Sequence, residues 1–306
     1  MTITLRQLTY FKALAEQGNF RRAAEQCFVS QPALSVQIQE LERNLGAPLV
    51  ERQSRRLLLT PLGREVLETA RRVLSEISDL EHSAQNRLGL GGVLRLGVIP
   101  TIAPYLLPEA LAALRASDIS LDVQITEGKT DRLLDHLAEG GLDACILALP
   151  TERSGLEERP LFTDRFLLAG SAARLEALGD VISPDGLSDT QILLLEDGHC
   201  LTDQALAVCG RDRGHQRIHM GASSLPTLTR LVEAGFGLTL MPELAAPSER
   251  ALAPGLCLRR FDAPEPSRSV GLVRRATRQQ AGWFEELAQT LETVGRDLVA
   301  AAQTVA

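Results

Sequence analysis

The spacing of apolar residues divides the chain into two regimes. Between residues 4 and 16, Leu5, Leu8, Phe11, Leu14 and Ala15 recur three or four apart, which predicts an amphipathic helix ended by Gly18-Asn19. A second short helix is predicted from Arg21 to Cys27, then a turn at Phe28-Val29-Ser30 and a third helix from Gln31 to Leu45. Ser30 is the N-cap of the third helix, and Pro32 sits in its first turn, where a missing N–H costs nothing. The small pair Ala23-Ala24 permits close crossing, so the three segments make a helix-turn-helix pattern. Beyond Gly46-Ala47-Pro48, segments 49–52 and 55–60 read as a basic two-stranded wing. Pro61 opens a helix expected to reach about Leu88. Along it Val66, Val73 and Leu80 recur every seven residues, with Ala70, Ile77 and Ala84 between them. That a/d seam favours a dimer helix over a face packed on the chain's own C-terminal part.

From Val93 the period changes. Strands are expected at 93–99, 119–126, 144–149, 164–169, 191–195, 238–241 and 269–273, and helices at 104–116, 130–139, 203–208, 225–234 and 283–294. Alternation of this kind predicts a mainly parallel sheet with covered faces, here in two α/β lobes around a cleft. The domains expected are a winged helix-turn-helix at 1–60, a linker and dimerisation helix with its glycine hinge at 61–92, and a regulatory domain at 93–306. Within the last, lobe I takes about 93–163 and 270–306 and lobe II about 164–269.

Composition narrows the function classes. The 306 residues are 44% hydrophobic and 23% charged, without an apolar run long enough to span a membrane, and the N-terminus lacks the pattern of a signal peptide. A cytoplasmic protein without a membrane partner is expected. Its five cysteines, an odd number, argue against a structural disulfide framework in a reducing compartment. The net charge of −7 is uneven, +2 over residues 1–92 and −9 over the remainder, so only the first third suits a polyanion. There Gln31, Ser35 and Gln39 fall on one face of the third helix, able to read base edges in a major groove, while Arg22, Arg52, Arg55 and Arg56 suit phosphates or an adjacent minor groove.

Two further patterns carry a family resemblance. Phe20-Arg-Arg-Ala-Ala-Glu-Gln-Cys-Phe-Val-Ser-Gln-Pro-Ala-Leu-Ser35, with Leu41-Glu42 and Leu45-Gly46, resembles the DNA-binding domain of LysR-type transcriptional regulators. Glu196-Asp-Gly-His-Cys-Leu-Thr-Asp-Gln-Ala205, followed by Cys209, resembles the peroxide-sensing branch of that family, and Val98 to Pro108 and Pro264-Glu-Pro266 extend the likeness along the chain. The resemblance implies a periplasmic-binding-protein-like regulatory domain and a homodimer or homotetramer on a two-fold symmetric promoter site in double-stranded DNA. It also implies an activator of the oxidative stress response that senses hydrogen peroxide, works with RNA polymerase and is reset by a thiol reductant system. Cys200 and Cys209 would form its reversible disulfide, with Thr101, Thr130, His199, Asp203, His219 and Arg268 around the peroxide and the thiolate.

Spacing alone leaves the two cysteines open between a switch and inert packing, the commoner fate. If they are partners, an intervening helix would hold their Cα atoms about 13.5 Å apart, whereas a disulfide needs them within about 7 Å. Oxidation must then unwind the segment. His199, the helix N-terminus and Arg268 are expected to hold Cys200 as a thiolate at neutral pH. Members of the branch commonly carry Arg two residues after the reactive cysteine, where this chain has Thr202. Thr101, after a strand, and Thr130, opening a helix, suit either a ligand cleft or a bare N-cap. Cys27, Cys145 and Cys257 read as packing residues. His82, His136 and His215 form no metal spacing, and no catalytic triad or phosphate loop assembles, so neither metal nor cofactor nor turnover is expected. The alternatives are a regulator that binds a small organic ligand between its lobes and, further off, a thiol peroxidase-like enzyme that would leave residues 1–60 unexplained.

Overall fold

A computed structural model describes residues 3–53, 56–85, 93–117, 122–179, 183–187, 190–210, 222–276 and 282–303. Two compact units make up the chain: residues 1–87, and the remainder apart from the short stretch 138–141.

In the first unit, helices α1 (Leu5–Gln17), α2 (Phe20–Gln26) and α3 (Gln31–Leu45) precede the wing strands β1 (Val50–Gln53) and β2 (Arg56–Leu59) and the long helix α4 (Pro61–Gln85). Local chemistry sets each boundary. Thr4 and Gln7 form a reciprocal capping box at α1, Asn19 accepts from the N–H groups of Arg21 and Arg22 at α2, and Ser30 accepts from Ala33 N–H at α3. Phe11, Leu14, Ala23, Ala24, Leu34, Ile38, Leu41 and Leu49 form the core. The Glu42 carboxylate accepts from the backbone of Leu49 and Val50 at 2.8 and 3.3 Å, fastening the wing to α3.

The second unit begins with β3 (Val93–Val98), α5 (Ala103–Ser117), β4 (Asp122–Glu127), α6 (Thr130–Ala138) and β5 (Ala144–Leu149). It continues with the long strand β6 (Leu156–Ser171), α7 (Ala172–Glu176), α8 (Cys200–Val208), α9 (Leu225–Glu233), β7 (Thr239–Pro242), α10 (Ala246–Leu252), β8 (Leu256–Arg260), β9 (Ser267–Arg275) and α11 (Gly282–Ala302). The strand order is β4-β3-β5-β9-β6-β7, with β8 also on β6. Among the described strands the β3 pairs with β4 and β5 are parallel, whereas β9 runs antiparallel to β5 and β6, and β7 and β8 run antiparallel to β6.

The expected mainly parallel sheet is therefore corrected to a mixed one. The reason is topological. Strand β6 carries the chain away from the β3–β5 part of the sheet and β9 brings it back beside β5, so β6 and β9 lie side by side in opposite directions. Strand β6 pairs with β9 as far as Arg165↔Ser267, and from Phe166 onward its partners are β7 and β8. The strand expected at 191–195 reduces to two isolated bridges, Ile192↔Leu238 and Leu195↔Ala222.

Candidate redox site and DNA-binding surface

Helix α8 begins at Cys200 itself and ends with Cys209 as its C-cap, and both are free thiols. The whole spacing is helical, so the Cα separation of about 13.5 Å applies to the folded protein. Leu201, Ala205, Leu206 and Cys209 are buried. Thr202, also buried, donates from Oγ1 to the Leu195 carbonyl at 2.9 Å and so stitches the first turn of α8 to the bridge Leu195↔Ala222. At its N-terminus α8 has His199 in the cap position, with no side-chain cap hydrogen bond.

Thr101, from the turn after β3, joins residues of β6 and β9 in a polar cluster. Arg268 is wholly buried, donating from Nε to Asp164 at 3.0 Å and from Nη1 to Thr101 Oγ1 at 2.9 Å. A third donation, from Nη2, goes to the Thr101 carbonyl at 3.1 Å, while the other Asp164 oxygen accepts from Leu244 N–H. Lys129 covers the loop before α8, donating to the Asp197 carbonyl at 2.6 Å. Gly198 there has φ +87, and a Cβ on it would lie 3.1 Å from Lys129 Cδ, so close approach as well as backbone conformation favours glycine.

The electrostatics around Cys200 oppose one another. Burial pushes its thiol above the ordinary range, the strongest influence, and Asp203 adds to it; Arg268, the Thr130 hydroxyl and the Leu201 N–H pull the other way. The balance is upward. Thr130 Oγ1 is buried without a partner of full hydrogen-bond geometry, yet lies near enough to the sulfur to favour its anion.

Two expectations are corrected here. For Cys200 the expected stabilisation of the thiolate is outweighed, because burial pushes the thiol up more than Arg268, Thr130 and the helix terminus pull it down. His199 is no counter-ion, since burial first and the Lys129 charge second lower its pKa and keep the imidazole neutral. Asp203 is exposed, near enough to act on the thiol but against its ionisation. Thr101 and Arg268 are brought together directly, and Thr130 faces Cys200. His219 lies outside the described residues. Sequence reading missed Asp164, Lys129 and the tie made by Thr202. An aspartate opening a strand that is apolar from Phe166 onward was the available signal for Asp164, and a lysine in a chain that has only Lys12 besides was the signal for Lys129.

On the first unit, Arg22, Ser30, Gln31, Pro32 and Gln39 are exposed, and Ser35 is half-buried. The wing pairs Arg52 with Leu57 and Gln53 with Arg56, whereas Arg55 and the side chains of Arg52 and Arg56 lie outside the described residues. The seam on α4 is divided. Ala70 is buried, and Val66 is half-buried where it packs with Leu62 and Leu67 on the core of its own unit. Val73 and Ile77 are half-buried, and Leu80 is 64% exposed.

Family models match both units: the bacterial regulatory helix-turn-helix protein of the lysR family over residues 5–64, and the LysR substrate binding domain over 87–296. A hydrogen peroxide-inducible genes activator of Dickeya chrysanthemi is 41% identical over 290 residues, 94% of this chain and 95% of that protein. The DNA-binding transcriptional dual regulator OxyR of Escherichia coli K12 has the same identity and coverage. Among solved structures, a full-length OxyR variant from Pseudomonas aeruginosa superposes with a TM-score of 0.72 at 33% identity, covering 97% of this chain and 95% of that one. A hydrogen peroxide-bound OxyR variant from Corynebacterium glutamicum gives 0.66 at 36% identity, with 100% and 98% covered. By both of its units, the chain belongs to the LysR family of bacterial transcriptional regulators.

Proposed function

We propose that the protein is a DNA-binding regulator of the oxidative stress response which senses hydrogen peroxide through Cys200 and Cys209. The observation that carries this reading is the placement of two free thiols at opposite ends of one helix, the first of them under the influence of a buried arginine. In the first step the Cys200 sulfur attacks one peroxide oxygen. An S–O bond forms, the O–O bond breaks, and the thiol proton leaves with the departing oxygen as water. Arg268 and Thr130 lower the cost of negative charge on the attacking sulfur. Thr101 Oγ1, accepting from Arg268, keeps its own proton to donate towards a peroxide oxygen. In the second step the Cys209 sulfur attacks the sulfenic sulfur, the S–S bond forms and a second water departs. Two thiols thus supply the two electrons that reduce the peroxide, and a thiol reductant system restores them.

The signal follows from geometry. Because the bond cannot span an intact α8, its formation must unwind that helix, which is the two-state element. Residues 1–60 are assigned to a two-fold symmetric promoter site in double-stranded DNA, with Gln31, Ser35 and Gln39 in the groove and Arg22 and the wing arginines on phosphate. Residues 61–92, the linker helix with its glycine hinge, are assigned to dimerisation through Val66, Val73, Ile77 and Leu80, and 93–306 to sensing, with lobe I at about 93–163 and 270–306 and lobe II at about 164–269. A homodimer or homotetramer that meets RNA polymerase in the cytoplasm completes the reading.

Mass spectrometry of the intact protein after stoichiometric peroxide tests it. A linked 200–209 peptide and the loss of two hydrogen atoms are expected. No linked peptide, or a Cys200→Ser protein whose DNA footprint still shifts with peroxide, would favour a regulator that binds a small organic ligand instead.

A further inference from the structure

Phe28 is out of place by every folding criterion. It stands in the turn between α2 and α3 with φ +55, one of two non-glycine residues with positive φ among those described, and it is 96% exposed. The turn closes α2 by a Schellman motif: Phe28 N–H donates to the Glu25 carbonyl at 3.2 Å and Val29 N–H to the Ala24 carbonyl at 3.0 Å. Phe28 thereby occupies the left-handed position where glycine is the usual residue, because a Cβ is penalised there. A bulky aromatic residue bears that penalty, and its ring lies in water without a packing return. Local strain and an exposed aromatic ring at one residue point to a use outside the folded chain.

The neighbourhood says which. Phe28 lies two residues before Ser30, the cap of α3, so the ring projects beside the N-terminus of the helix that LysR-family regulators present to DNA. On α2 the exposed Arg22 supplies positive charge, while Arg21 is paired with Glu25 at 3.0 Å. Further along α3, Val36 is 48% exposed, so apolar groups also face outward within the recognition helix. In the major groove the one apolar feature of a base edge is the thymine methyl group.

We propose that Phe28 is a specificity-determining residue, its ring covering the 5-methyl group of a thymine at the outer edge of each half-site. The inference rests on the groove assignment of α3. The strain is the cost of aiming the ring away from the protein core and towards the duplex.

The test uses full-length reduced protein and a random duplex library, from which wild type, Phe28→Ala and Phe28→Gly each select binding sites. Both variants are expected to lose a thymine preference at one position per half-site. Replacing that thymine by deoxyuridine in the wild-type site should then weaken wild-type binding by about fourfold per methyl group and leave Phe28→Ala binding unchanged. Phe28→Gly should also raise the melting temperature of the full chain, since glycine relieves the left-handed strain, while Phe28→Ala should not. Opposite effects on stability and base preference are not expected of a purely structural residue. Identical selected sites and identical deoxyuridine penalties in wild type and Phe28→Ala would overturn the proposal. So would a uniform loss on all DNA, which would put the ring on the sugar-phosphate backbone, or a change of oligomeric state with base preferences intact. Failure of the groove assignment itself is separable, because Gln31→Ala would then weaken selected and random DNA alike.

Discussion

Helices α3 and α8 carry the two halves of the proposed function, and they are held in opposite ways. Helix α3 has 15 residues, a serine cap, a proline in its first turn and a wing tied to it through Glu42. Helix α8 has nine, fewer than the ~12–15 an isolated helix needs to be even marginal, and no side chain caps its start. Its stability comes from tertiary ties: four buried residues and the Thr202 hydroxyl on Leu195. A DNA-reading helix must keep one shape, so redundant local signals suit it. A switch helix must be formed in one state and lost in another, so a few removable ties suit it better.

The sharpest way to break the comparison is to take away the trigger. Cys200→Ser should abolish the peroxide-induced change of DNA footprint and leave binding of the reduced form unchanged, while Cys209→Ser should trap a sulfenic acid at Cys200. Next in size is Arg268→Ala. It strips a wholly buried Asp164 of its cation, and breaking such a pair typically costs about 3–5 kcal/mol. Denaturation of the full chain should show that loss, and peroxide should react more slowly as the thiol loses the charge that favours its anion. Thr202→Val follows. It leaves the Leu195 carbonyl unpaired at a cost of about 1–3 kcal/mol, and disulfide formation should quicken because α8 unwinds more readily. Slower disulfide formation in Thr202→Val would show that α8 is not limited by this tie.

The pH dependence separates the sites further. The thiolate is the reacting species and the pKa of Cys200 is raised, so its reaction rate should climb about tenfold per pH unit between roughly 7 and 8.5 without levelling off. The same shift acts on stability. The folded chain keeps a proton that the unfolded chain releases above the ordinary thiol pKa of about 8.5. Stabilisation from Cys200 is therefore full below that pH and is lost as pH rises through the folded value. Cys145, pushed up to about 12 by burial, adds to the same loss. A thermal melt that gained stability between pH 8.5 and 10 would contradict both assignments.

Legibility in the sequence follows the same division. Helix α3 is readable to the residue because Ser30, Pro32 and Gly46 mark its ends within the local chain. The first half of β6 is not readable: Glu157-Glu158-Arg159-Pro160 has the composition of a loop, and only pairing with β9 makes it a strand. Strand β8, with Arg259-Arg260, was hidden in the same way. At the site, the two cysteines and their helical spacing were visible. Asp164 as the partner of Arg268 was not, because the two stand 104 residues apart. The expected thiolate failed for a related reason: the sign of the shift depends on how deeply Cys200 is buried, and neighbouring residue types do not encode that.

The smallest effect belongs to the helix with redundant signals. Ser30→Ala removes the acceptor for Ala33 N–H, and cap deletions of this kind cost about 0.5–2 kcal/mol. The low end is expected here. The hydrogen bond is long at 3.4 Å, residues 30–33 are all exposed, so water replaces the lost acceptor, and Pro32 has already removed one unsatisfied N–H from the first turn. A loss of about 0.5 kcal/mol, read from denaturation of the full chain and unaccompanied by any change in peroxide reactivity, would leave α3 overdetermined as argued. A loss above about 2 kcal/mol would mean that α3 depends on its cap as α8 depends on Thr202, and the contrast between the two helices would fail.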